Sequence, residues 1–162
     1  MNSPICDLLN IEFPLLAFSH CRDVVVEVSK AGGMGVLGAV GMSAAELEVE
    51  LSWIDAHIDG KPYGVDLLVP NVMAGKDKAE TRAEVASRVP EEHKRFVDAI
   101  LARHQVKGVE IEDGARVATA RFGENMRPEG AAKLLDVAFS HPIGLVANAL
   151  GVPPQTMLDR GK

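Results

Sequence analysis

Three short apolar runs, separated by amphipathic stretches, constrain the fold of this chain more than any other feature. The runs cover residues 14–18, 34–39 and 63–70. Short buried-type strands that alternate with helices are typical of βαβ units and a parallel sheet. In such sheets ligands bind beyond the carboxyl ends of the strands. We therefore expect functional residues in the loops that follow the strands, at 19–23, 38–42 and 66–71.

Two helices are predicted between these strands. The clearer one begins after Ser43, because Ser43 and Glu46 have the spacing of a capping box. Its predicted apolar face, at spacings of four, three and four, is Leu47, Leu51, Ile54 and Ile58. The other covers 22–31, with a predicted apolar face of Val24, Val25, Val28 and Ala31.

The pattern changes after Asn71. About 70 residues pass before the next strand-like run at 143–148, whereas a βα loop usually has ~2–6 residues. We therefore expect a helical insertion after the third strand. Helices are predicted from Pro90, over 115–122 and over 128–139, and a last one after Pro153–Pro154. In the helix after Pro90 the apolar stripe is Phe96, Val97, Ile100 and Leu101.

Charge and composition exclude several classes of function. The formal net charge of −6 argues against a nucleic-acid partner, which requires a clustered basic surface. Two unpatterned cysteines predict neither a disulfide framework nor a metal site. No run approaches the ~18 apolar residues of a membrane span, and no signal peptide is recognisable, so we expect a cytoplasmic protein with no membrane partner.

The glycines at 33, 35 and 38 match the dinucleotide-binding pattern GxGxxG, but their context differs from it. In that pattern the glycines follow a strand and open a helix. Here they follow a helix and continue through a predicted strand. We expect them to allow close packing of helix on strand.

Four segments of the chain resemble the nitronate monooxygenase family, once called 2-nitropropane dioxygenases. The segments are ICDLLNIEFPLLAFSHCRD, VSKAGGMGVLGA, GKPYGVDLLVP and SHPIGLVANALGVPP. The resemblance implies a TIM (β/α)8 barrel that binds FMN at its carboxyl mouth and oxidises alkyl nitronates with molecular oxygen. It predicts an α/β fold in which this chain supplies the first four βα units, with the helical insertion after strand three.

The resemblance also implies which residues meet the cofactor. The carboxyl ends of strands one and three are expected to lie side by side as one wall of the flavin site. The expected cofactor-binding residues are Ala17, Phe18, Ser19, Asp66 and Asn148. Many members carry asparagine in strand three, where this chain has Asp66, and a carboxylate only accepts hydrogen bonds. His20 is the candidate for a catalytic base, and no metal ligand is predicted.

Structural alternatives stand beside these assignments. Asp66 could pair with a neighbouring strand or with Lys61, and the loop at 19–23 could serve only to cap a helix. Asn148 could have a turn role. His141 precedes the fourth strand, so a structural role at the amino end is expected for it. Surface positions are expected for His57, His93 and His104.

The chain is shorter than the ~250 residues of a complete barrel. The family's later glycine-glycine-histidine motif and phosphate-binding loops are absent from it, so we expect an N-terminal fragment. The predicted divisions are βα units at 1–72, an insertion at 73–140 and the fourth strand with the start of its helix at 141–162. Two alternatives to the monooxygenase are an inactive half-barrel, which could form a homodimer to close its sheet, and an FMN-dependent enoyl-thioester reductase.

Overall fold

The computed structural model describes residues 3–69, 87–106 and 123–161. The described helices are α1 (Pro4–Leu9), α2 (Arg22–Lys30), α3 (Ala44–His57), α4 (Glu91–Arg103), α5 (Pro128–Ser140) and α6 (Gln155–Arg160). The described strands are β1 (Leu16–Ser19), β2 (Met34–Gly38), β3 (Gly64–Leu67) and β4 (Leu145–Asn148). The helix predicted over 115–122 lies outside the described residues.

These strands form a parallel sheet in the order β1-β2-β3-β4. The predicted α/β fold with a parallel sheet is confirmed. The ends of the strands differ from those of the predicted runs by up to three residues, and β1 ends one residue beyond its run. The expectation that strands one and three lie side by side is wrong, because β2 pairs with both and separates them.

The core forms where α3 and α5 cover the sheet. The capping box of Ser43 and Glu46 is present, with both of its hydrogen bonds. The predicted apolar face of α3 is confirmed, since its four members are all buried. Helix α5 packs against α3 and buries Ala131, Leu134, Leu135 and Ala138.

The predicted apolar face of α2 is only partly correct. Val25 and Val26 are buried, but Val24 is 44% exposed. Ser29 takes the third buried position on this helix, where its hydroxyl accepts a hydrogen bond from the amide of Gly35 at 3.0 Å. A polar residue can therefore be buried here because the adjoining strand supplies its partner.

The predicted close packing of helix on strand is confirmed at Gly35 of the GxGxxG pattern. A Cβ on Gly35 would lie 2.2 Å from the carbonyl oxygen of Val25, so α2 can lie against β2 only because the strand lacks a side chain there. A Cβ on Gly33 would lie 3.0 Å from the carbonyl oxygen of Leu15.

The described residues fall into two compact units. One contains 3–69 and 123–161, and the other contains 87–106. In the second unit α4 begins after Pro90 with two acidic residues in its first turn, as predicted, and its apolar stripe is exposed. The three-part division at residues 72 and 140 stays a prediction. Among the described helices none is long and apolar enough to cross a membrane.

Candidate functional site

The carboxyl ends of all four described strands meet at one edge of the sheet. Gly38 at the end of β2 is in register with Asp66 of β3, and Leu67 of β3 with Asn148 of β4. On the other side of β2, Ser19 is in register with Leu37. The predicted site residues therefore lie along this edge, which is the edge where ligands bind in sheets of this kind.

Two rings converge on Gly38. The centroids of the Phe18 and His20 rings are 5.0 Å apart in an edge-to-face arrangement. A Cβ on Gly38 would lie 2.4 Å from Cζ of Phe18 and 2.8 Å from Cε1 of His20. Glycine at the end of β2 therefore leaves room for the side chains of Phe18, in β1, and of His20, just after β1.

A backbone carbonyl orients the imidazole of His20. Nδ1 of His20 lies 3.0 Å from the carbonyl oxygen of Gly38. A carbonyl can only accept, so Nδ1 carries the proton and donates it. In the neutral ring Nε2 is then the acceptor and is able to take a proton, as a general base must.

Asp66 is half-buried at the same edge. Burial raises the pKa of its carboxyl, and the nearby His20 acts in the opposite direction. The suggested ion pair with Lys61 is not formed, since Nζ of Lys61 lies 3.1 Å from Oε1 of Glu12. Within 3–69, 87–106 and 123–161 no hydrogen bond is made by the Asp66 side chain. Among these residues the Asp66 carboxyl therefore has no donor.

The amide of Asn148 is engaged by the backbone of neighbouring loops. Its Oδ1 accepts from the amide of Val69 at 3.0 Å, and its Nδ2 donates to the carbonyl of Val69 at 3.1 Å. A longer contact of 3.4 Å joins Nδ2 to the carbonyl of Gly151. Asn148 thus holds together the ends of β3 and β4, which corresponds to the turn role considered for it. Contact between Asn148 and a ligand stays a prediction.

The remaining predicted residues of β1 have different environments. Ala17 is half-buried, whereas Phe18 is 56% exposed. Oγ of Ser19 accepts a hydrogen bond from the amide of Cys21 at 3.0 Å. Cys21 is the N-cap of α2, although its side chain makes no capping hydrogen bond. The loop therefore serves the start of α2 and also presents His20 at the edge, beside Phe18 of β1.

One residue at this edge was not foreseen from the sequence. Nδ2 of Asn125 lies 2.7 Å from the carbonyl oxygens of both Val40 and Met42, in the loop between β2 and α3. The contact joins residues 85 and 83 positions apart. No local pattern around Asn125 indicates it.

A second polar cluster lies at the amino end of the sheet, away from the candidate site. Nδ1 of His141 contacts Asp55, and the hydroxyl of Tyr63 donates to the same carboxylate. His57, His93 and His104 are exposed, as predicted. In the described ranges no group of three or more histidines, cysteines or carboxylates could hold a metal.

A groove of about 510 Å³ lies beside β4 and α6, and its lining includes Leu145, Val146, Pro153 and Met157. It contains none of the predicted site residues. We therefore assign the candidate site from the convergence of Phe18, His20 and Asp66 on Gly38, not from the volume of this groove.

The chain is similar to one curated protein over almost its whole length and to two others over less than half of it. A Mycobacterium tuberculosis protein named as a monooxygenase, Rv1533, is 47% identical over 161 residues, which are 99% of this chain and 42% of that protein. A Staphylococcus saprophyticus protein named as a nitronate monooxygenase is 35% identical over 75 residues, or 44% of this chain and 21% of that protein. A Staphylococcus haemolyticus protein of the same name is 32% identical over 74 residues, or 43% of this chain and 20% of that protein.

The fold has a match among solved structures. The structure of nitroalkane oxidase from Streptomyces ansochromogenes superposes with a TM-score of 0.59 at 19% identity, over 98% of this chain and 39% of that one. No family model matches the chain. The chain spans less than half the length of each of these curated relatives.

Proposed function

Because the chain belongs to the nitronate monooxygenase family, we propose that its carboxyl edge forms one wall of an FMN site at which alkyl nitronates are oxidised by molecular oxygen. The observation that carries the proposal is the convergence of Phe18 and His20 on Gly38, in register with Asp66. This convergence brings together three groups at the edge where ligands bind: the exposed ring of Phe18, the oriented imidazole of His20 and the carboxyl acceptor of Asp66.

The residues present fit a flavin. An isoalloxazine ring offers a flat apolar face and, on its pyrimidine portion, an N–H donor. The exposed ring of Phe18 can contact the face, and the Asp66 carboxyl, which has no hydrogen bond within the described residues, can accept from the N–H. Ala17 and Ser19 complete the wall, with Asn148 at its far end. When bound, the flavin supplies the redox chemistry.

The protein's own contribution is to orient groups and move a proton. The carbonyl of Gly38 fixes the Nδ1–H tautomer of His20, so that Nε2 can accept a proton. In this role His20 takes the α-proton from a neutral nitroalkane and leaves its nitronate. The pKa of Asp66 depends on its own burial and on the nearby His20, so the two residues together set the polarity of the wall.

The order of the strands supports a partial barrel. Doubly wound sheets reverse their strand order at a switch point, where the ligand binds. The described sheet runs β1-β2-β3-β4 with no reversal, which is the order of successive strands in a (β/α)8 barrel. We infer that these strands are the first four of such a barrel.

Flavin binding by the 162-residue chain tests this proposal. The purified protein is mixed with FMN, unbound flavin is removed by gel filtration, and the flavin that stays with the protein is measured by its absorbance at about 450 nm. Phe18→Ala and Asp66→Ala should weaken binding, whereas Asn10→Ala, at an exposed position after α1, should not. Oxygen uptake that depends on added nitronate then identifies the monooxygenase, and consumption of NADH identifies a reductase instead. A chain that takes up no FMN contradicts the proposal and favours an inactive half-barrel.

A further inference from the structure

The loop between β2 and α3 is held by a side chain from a distant part of the same compact unit. Nδ2 of Asn125 donates both of its protons, one to the carbonyl of Val40 and one to that of Met42, each at 2.7 Å. The loop follows Gly38, whose own carbonyl accepts from His20. Asn125 therefore shapes a segment that directly adjoins the candidate site.

This contact determines the direction of one amide in the loop. The peptide between Val40 and Gly41 is planar and trans, so the N–H of Gly41 points opposite to the Val40 carbonyl, away from Asn125. No described residue accepts a hydrogen bond from that N–H. A Cβ on Gly41 would meet no atom within 4 Å, so the space around it is open.

The open donor is distinct from the helix start that follows it. Ser43 and Glu46 bond reciprocally at the N-terminus of α3. Met42 donates to the carbonyl of Ala39 at 3.0 Å. The amide of Gly41 thus precedes two amides, those of Met42 and Ser43, that already have acceptors.

We propose that Asn125 is a positioning residue that directs the N–H of Gly41 to a carbonyl oxygen or ring nitrogen of the flavin. The identity of this ligand rests on the proposed function, but the action of Asn125 on the loop does not. A side-chain amide suits the role because it has two protons for two carbonyls. An aspartate of the same shape has no proton to donate when ionised, and the two carbonyl oxygens would repel it.

Amide NMR of the whole chain tests the proposal with and without FMN. The chain is labelled with ¹⁵N-glycine, and Gly41→Ala identifies the Gly41 signal by its disappearance. Asn125→Asp and Asn125→Ala should both move this signal, and Asn125→Asp should weaken FMN binding by about tenfold or more. Asn10→Asp makes the same charge change at an exposed residue and should alter neither. The other glycine signals report whether each variant is folded.

Added FMN should also move the Gly41 signal of the unchanged chain. An unmoved Gly41 signal in both folded Asn125 variants would overturn the positioning role. FMN that binds without moving the Gly41 signal would overturn the contact with the flavin. If the chain takes up no FMN, the proposed function fails, and the Gly41 signal in the ligand-free variants still decides whether Asn125 positions the loop.

Discussion

The imidazole Nδ1 of His141 lies 2.6 Å from the carboxylate Oδ2 of Asp55, so the loop before β4 is tied to α3 across 86 residues of sequence. The other oxygen of Asp55 accepts a hydrogen bond from the hydroxyl of Tyr63, also at 2.6 Å. Nε2 of His141 faces Glu48 at 3.3 Å. This cluster joins α3 to the segments that lead into β3 and β4, at the end of the sheet opposite the candidate site.

Removing the hydroxyl of Tyr63 should destabilise the fold. The Tyr63 side chain is buried, and its hydroxyl hydrogen-bonds to a carboxylate, which is a stronger acceptor than a neutral group. We expect Tyr63→Phe to lower the free energy of unfolding by about 1–3 kcal/mol. Urea unfolding measures the loss. If Asp55→Asn is already present, Tyr63→Phe should cost less, and equal costs in both backgrounds would show that the hydroxyl and the carboxylate are not coupled.

The stability of the chain should depend on pH through His141. Hydrogen bonds to Asp55 and Glu48 and their charges raise the pKa of this imidazole, although its burial opposes them. The folded chain therefore retains the proton at a higher pH than the unfolded chain does. The stabilisation is fully present below the ordinary pKa of about 6.5 and is lost as the pH rises through the raised value.

Thermal unfolding between pH 5 and pH 9 checks this dependence. The advantage of the unchanged chain over His141→Gln should be largest at the acidic end of the range and should shrink as the pH rises. His104→Gln removes an exposed histidine and should change the melting temperature little at any pH. An advantage that grows with pH would contradict the assignment.

Replacing two different glycines of β2 by alanine should impair different properties. Gly35→Ala should reduce the stability of the fold, and Gly38→Ala should disturb the candidate site. In Gly35→Ala the new methyl would meet the backbone of Val25, which cannot move without shifting α2, so we expect a loss of about 3 kcal/mol or more in stability. In Gly38→Ala it would meet the rings of Phe18 and His20, which can rotate outward because both residues are exposed. Gly38→Ala should therefore remain folded but bind FMN poorly.

Urea unfolding and FMN titration separate these outcomes. Gly41→Ala is the control for stability, since its methyl would enter open space. A Gly38→Ala variant that binds FMN as tightly as the unchanged chain would show that the placement of Phe18 and His20 does not matter for the site.

Replacing Asp66 by asparagine should stabilise the ligand-free chain at neutral pH. Burial raises the pKa of this carboxyl, so the folded state favours its protonated form, and stability falls as the pH rises above the unfolded value of about 3.9. Asp66→Asn keeps the shape and removes the charge. Its melting temperature should exceed that of the unchanged chain at pH 7, and the two should converge at acidic pH. Asp98→Asn, on α4 in the other unit, is the matched control.

The sequence determined those features that depend on near neighbours along the chain. The spacing of Ser43 and Glu46 places the start of α3, and the period of Leu47, Leu51 and Ile54 gives its buried face. The short apolar runs give the parallel sheet, because each strand is followed by a helix that returns the chain to the same end. The expected location of the site at the carboxyl edge follows from that alternation.

Only the tertiary structure shows which side chains from distant parts of the sequence come into contact. Phe18 and His20 can both lie against Gly38 because Gly38 has no Cβ. Only the register of β2 and β3 shows that Asp66 lies beside Gly38. The contacts of Asn125 with the β2–α3 loop and of His141 with Asp55 join residues more than 80 positions apart. Such contacts produce no periodic pattern in the sequence. A hydrogen bond between distant residues requires only that a donor and an acceptor come within reach, and many different folds of the backbone satisfy that requirement.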